Sequence, residues 1–137
     1  MVPAHIITLL FLFTSSLKDL RTRRGFTDKI YILSIILVAG SFLLTEGSGT
    51  AGASIIMALI GLVVGFAMNL FTKFGGADIW TLALICANFP NQLPITVIAY
   101  TFIPYIAWLK IYSLTGRKTA PAIPGLTAGL ILAIAIL

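Results

Sequence analysis

Six apolar runs, separated by five short polar breaks, make up almost the whole chain, and only alternate breaks carry a basic residue. All nine Lys and Arg residues fall in the first, third and fifth breaks; the second and fourth hold none. A soluble core built from 137 residues cannot use that much apolar surface, but a bilayer can. With 59% hydrophobic and 9% charged residues and a mean hydropathy of +1.08, the chain is expected to be one membrane-embedded domain spanning residues 1–137. The expected fold is all-α and polytopic, with about six transmembrane helices.

In order, the first run is Val2 to Leu17, extendable through Leu20, and is short of the roughly 20 residues of a full span. Its charge follows it rather than precedes it, the reverse of a signal peptide, so it is expected to be a retained helix. The break from Lys18 to Lys29 is the most charged part of the chain. Ile30 to Leu44 is the second run, and Thr45 to Thr50 reads as a flexible polar turn. Ala51 to Phe71 is the third, with Gly61 and Gly65 as a small-xxx-small pair for close helix contact. The fourth goes from about Ile79 to Phe89 and stops at Pro90-Asn91-Gln92. Leu93 to Trp108 is the fifth, with Pro104 expected to kink it. The sixth covers about Ala120 to Leu137 and begins through Pro121 and Pro124.

Basic loops favour the cytoplasm, so the alternation predicts an N-out/C-out arrangement with the three basic breaks inside the cell. The net charge of +5 is thereby a topological signal, and no nucleic-acid partner is expected. The single cysteine, Cys86, sits inside an apolar run and suggests neither a disulfide nor a metal framework. No metal and no cofactor is expected.

The same parity sorts the acids. Asp19 follows the first run, and Asp78 lies behind Gly75 and Gly76 in the next cytoplasmic break; Asp28 shares that side, and Glu46 does not. Two carboxylates brought close share a proton. The ionised member can then take a proton from water while the other donates one. An acid at a membrane edge is by default a functional candidate, and the two glycines let a second backbone come near it. Read singly, each acid has a structural explanation. Asp19 can pair with Lys18 or Arg21 at the interface, Asp78 can cap a helix N-terminus, and Asp28 reads as a solvated loop residue or as support for the site. His5 is placed on the side away from the acids. Asn69 and Asn88 are expected to bond between helices, and Tyr105, Trp108 and Tyr112 to act as interface anchors. Two other classes compete. A small proton-coupled transporter or channel using Asp78 would need further polar residues along its helices, of which the spans are read as almost bare, and a non-catalytic scaffold would assemble through the glycine faces without needing both acids.

Taken together, these residues resemble a family. An acid behind Gly75-Gly76-Ala77, with Asp19-Leu20-Arg21-Thr22-Arg23-Arg24 after the first run, is similar to the GxGD-type type IV prepilin peptidases and archaeal preflagellin peptidases. Pro121, Pro124 and Gly129 keep the spacing of a Pro-x-x-Pro motif with a later glycine that is frequent in that family. The resemblance implies a membrane aspartyl protease with Asp19 and Asp78 as catalytic acids. Gly75, Gly76, Ala77, Arg21, Arg23, Arg24, Pro121 and Pro124 would bind substrate or shape the site. It implies cleavage of short basic leaders from pilin-like or archaellin-like precursors at the cytoplasmic face of the cell membrane, by an enzyme whose self-association is left open. The chain departs from the family pattern in three places. Ala77 stands where the strict motif has its second glycine, Gly25-Phe26-Thr27 replaces a frequent Ile-Pro-Asn, and Trp80 stands where a lysine is common. It also lacks the zinc-binding cysteines and N-methylating region of larger relatives, which implies cleavage without methyl transfer.

Overall fold

The computed structural model describes residues 3–22, 28–71, 76–114 and 122–136. Their regular structure is α-helical throughout: α1 (Pro3–Thr22), α2 (Asp28–Glu46), α3 (Ser48–Phe71), α4 (Gly76–Ala87), α5 (Pro94–Leu114) and α6 (Ala122–Ile136). These six elements coincide with the six apolar runs of the sequence. Three of them, α2, α3 and α5, are long and apolar enough to cross a membrane, while the apolar stretches of α1, α4 and α6 are shorter. The outward surface is also apolar: Leu44 is 89% exposed, Phe71 86% and Val63 70%. Patches of that kind on a soluble protein mark an unmet partner, and hydrocarbon is the partner that fits all sides of a bundle.

The short helix is the innermost. α4 packs against every other helix, and residues 81–89 are all buried. Its 12 residues rise only roughly 18 Å, well below a hydrocarbon thickness of roughly 30 Å. A break in helical backbone at that depth is tolerated where protein surrounds it, and the surrounding helices supply that cover. Glycines allow the closest approach. A Cβ at Gly61 would lie 2.8 Å from Ala83 Cα, and one at Gly65 would lie 2.8 Å from Ile79 Cγ2. The pair therefore seats α3 directly on α4. On α6, Gly125 faces Trp108 and Gly129 faces the Thr101 backbone, which closes α6 against α5 in the same way.

Several expectations need correcting. The polar turn over residues 45–50 is in fact a one-residue break at Gly47, whose φ is 102°. Its N–H closes α2 on the Phe42 carbonyl at 3.1 Å, and its carbonyl accepts the Ala51 N–H at 3.2 Å to begin α3. Ser48, Gly49 and Thr50 are already helical, because one residue at positive φ suffices to reverse the chain. α5 starts on Pro94, where the missing N–H is harmless, and the Leu93 carbonyl accepts from Thr96 and Val97. α5 contains Pro104 and runs past the expected end at Trp108 to Leu114. Tyr105 is not an outward anchor: it is buried and meets Phe102 edge-on at 5.5 Å. Trp108 and Tyr112 lie together at 5.2 Å, with the indole also covering Gly125.

Candidate functional site

Hydroxyl and amide groups inside the bundle fix how α1 faces α4. At one level the Thr8 hydroxyl donates to Asn88 Oδ1 at 3.0 Å, and Asn88 Nδ2 donates to Thr8 Oγ1 at 2.8 Å. Two turns along α1, the Ser15 hydroxyl meets the Tyr31 hydroxyl at 3.0 Å, and the Thr81 hydroxyl donates to the same oxygen at 3.0 Å. The interval from Thr8 up to Ser15 equals the interval from Asn88 down to Thr81. The two helices are therefore antiparallel, and one register holds across both contacts. Leu12 and Ile85, fully buried, lie between the two levels on the same stripes.

One turn beyond the upper level, the same two stripes reach position 19 on α1, four residues after Ser15, and position 78 on α4, three before Thr81. Asp19 belongs to the last turn of α1, and its side chain lies outside the described residues. Asp78 is half-buried. It is the third residue of α4, inside the first turn and not its cap as one expectation had it. The free N–H groups and the helix dipole there favour a carboxylate. Ser16, next to Ser15, bonds Thr127 of α6 at 3.0 Å. The end of α1 is thus held toward α2 and α4 through one serine and toward α6 through the next.

The other predicted site residues divide into three groups. Gly76 opens α4, while Arg21 and Ala77 are placed by backbone alone. Gly75, Arg23, Arg24 and Pro121 lie outside the described residues. Pro124 sits half-buried in the first turn of α6, and the Gly129 of the late motif serves the α5–α6 contact. Asp28 opens α2.

The opposite end of the bundle has a distinct polar centre. Asn88 bonds between helices as expected, and His5 Nε2 donates to the Asn88 carbonyl at 2.9 Å. The Ser54 hydroxyl donates to the Ala87 carbonyl at 2.6 Å. A pocket of about 170 Å³ beside them is lined by His5, Glu46, Asn88 and Gln92 among others. This end is the one away from Asp78, as the sequence suggests for His5 and Glu46. Among the described residues no cluster of three or more His, Cys, Asp or Glu side chains forms a metal site.

Sequence reasoning missed Ser15, Tyr31, Thr81, Ser16 and Thr127. Each lies in an apolar run, and nothing in the run says whether a hydroxyl turns back on its own helix or reaches across to another. The expectation that the helices are nearly bare of polar groups is corrected accordingly. Among the described residues, however, every buried side-chain nitrogen and oxygen has a hydrogen-bond partner. No family model matches the chain, and comparison with curated proteins and with solved structures gives no match.

Proposed function

We propose that this chain is a multi-pass membrane aspartyl endopeptidase that removes short basic leaders from type IV pilin-like or archaellin-like precursors, with Asp19 and Asp78 as its water-activating pair. The observation that supports the reading is the α1–α4 register: hydrogen bonds fix it at two levels, and by helical periodicity the same stripes carry positions 19 and 78 one turn further on. The basic breaks lie next to these acids in sequence, which by the positive-inside rule puts the pair at the cytoplasmic face, where a basic leader is found.

In this reading one carboxylate is ionised and takes a proton from a water held between the two, as that water attacks the scissile carbonyl. The protonated partner donates its proton to the developing oxyanion; as the tetrahedral intermediate collapses, the carboxyl that took the proton from water passes it to the leaving amine and the partner takes its own proton back. Gly75 and Gly76 let the extended precursor backbone come close. Arg21, Arg23 and Arg24 set topology and flank the mouth of the site, with Pro121 and Pro124 shaping its far side. Among the described residues every buried side-chain nitrogen and oxygen is hydrogen-bonded, which counts against an open proton path and so against the transporter reading.

The test is cleavage of a prepilin-type precursor by purified protein in detergent, with wild type beside Asp19→Asn and Asp78→Asn. Wild type is expected to cut where the leader meets the apolar helix. Each folded variant should lose on the order of 10³-fold in rate. Near-normal cleavage by either variant removes that acid from the mechanism, and a wild type that cuts no such precursor removes the function.

A further inference from the structure

We infer that the Tyr31 hydroxyl is a positioning group that sets the distance between the two acids, an inference that rests on the Asp19/Asp78 reading above. Tyr31 is fully buried near the start of α2, and its ring is held edge-on against Phe11 at 5.1 Å. Its oxygen is inserted between Ser15 of α1 and Thr81 of α4, at 3.0 Å from each. At the lower level Thr8 and Asn88 touch directly, with nothing inserted. α1 and α4 are therefore in direct polar contact at one end and kept apart by one hydroxyl at the other, one turn short of positions 19 and 78.

That spacing has a chemical consequence. Two carboxylates that activate a water must stand about one water apart. Closer, they repel more strongly and exclude the water; farther, they act singly. A hydroxyl wedged between the helices one turn below is the size of group that holds such a gap open. Thr81 and Ser15 offer the wedge its hydrogen bonds, so the spacing is fixed by bonded atoms and not by loose packing. Tyr31 touches neither water nor substrate in this account. It acts through the helices that carry the acids.

Tyr31→Phe removes the oxygen and keeps the ring. It is expected to lower kcat about tenfold with KM within about twofold, because the acids and not the binding surface are displaced. The two limbs of the pH–rate profile should move further apart as the acids approach and interact more strongly. A purely structural role would lower Tm and leave the limbs of the surviving enzyme in place. A second measurement is independent of activity. In a Cys86→Ala background, Asp19→Cys with Asp78→Cys is oxidised to a disulfide, and Tyr31→Phe is expected to change the rate of closure about threefold or more. Ser34→Ala serves as control, since that hydroxyl bonds only the Ile30 carbonyl of its own helix in the contacts described, and it should change neither readout. An unaltered kcat and pH profile in Tyr31→Phe overturns the inference. If wild type cleaves no precursor, the functional reading fails by itself, and an unchanged rate of disulfide closure then overturns this one.

Discussion

Thr8 and Asn88 exchange two hydrogen bonds across the α1–α4 interface, at 3.0 and 2.8 Å, and Asn88 Nδ2 also donates to the Leu84 carbonyl at 2.8 Å. With His5 on its backbone carbonyl at 2.9 Å, Asn88 joins α1 to the end of α4 through both its side chain and its main chain. Removing it leaves the buried Thr8 hydroxyl without its partner. Asn88→Ala should therefore lose about 1–2 kcal/mol of stability in detergent unfolding, and Asn88→Asp should lose more, because a carboxylate replaces an amide donor in a fully buried site. Wild-type stability in both variants would remove this contact as a determinant of the register.

The α3–α4 contact makes a second prediction through Gly61 of α3, with Gly40 of α2 as its contrast. A Cβ at Gly61 meets the Ala83 Cα at 2.8 Å and the Leu82 carbonyl oxygen at 3.1 Å, both backbone atoms that cannot turn aside. A Cβ at Gly40 meets nothing within 4 Å. Gly61→Ala should cost about 1–3 kcal/mol through overpacking, whereas Gly40→Ala should be neutral or gain up to about 1 kcal/mol from helix propensity. Thermal unfolding of the two variants side by side decides it, and equal effects would contradict the packing described.

Orientation in the membrane is testable on the exposed residues Gln92, in the turn after α4, and Ser113, in the last turn of α5. With basic loops inside, Gln92→Cys should react with an impermeant maleimide in intact cells, and Ser113→Cys only after lysis. The reverse pattern would put the acids on the outer face, where a cytoplasmic leader could not reach them.

The helices were legible in the sequence because apolar runs and glycine or proline breaks are local signals. Gly61 and Gly65 announce a close contact by their spacing, and the structure seats them on α4. What was not legible depends on rotation about a helix axis. Thr14 and Thr45 bond back to carbonyls four residues earlier, while Ser15 and Thr8 reach other helices, and the residue types are alike. Tyr105 was misread for the same reason: an aromatic near the end of an apolar run is an anchor or a core residue depending on which side of its helix faces the bundle. The turn at Gly47 was misread because Ser48, Gly49 and Thr50 have loop composition but helical geometry. For the candidate site, the sequence singles out two acids; the register that runs toward their positions needed four buried hydroxyls and an amide that no motif marks.

The central claim is that position 19, and not position 28, is the partner of position 78. Both Asp19 and Asp28 adjoin the same basic break, at the end of α1 and the start of α2, so the two assignments separate only by geometry. Disulfide closure is the direct measurement, since it requires Cα atoms within roughly 7 Å. In a Cys86→Ala background, Asp19→Cys with Asp78→Cys should close about tenfold faster or more than Asp28→Cys with Asp78→Cys. Fast closure of the 28–78 pair with none at 19–78 would contradict the register and move the second catalytic acid to Asp28.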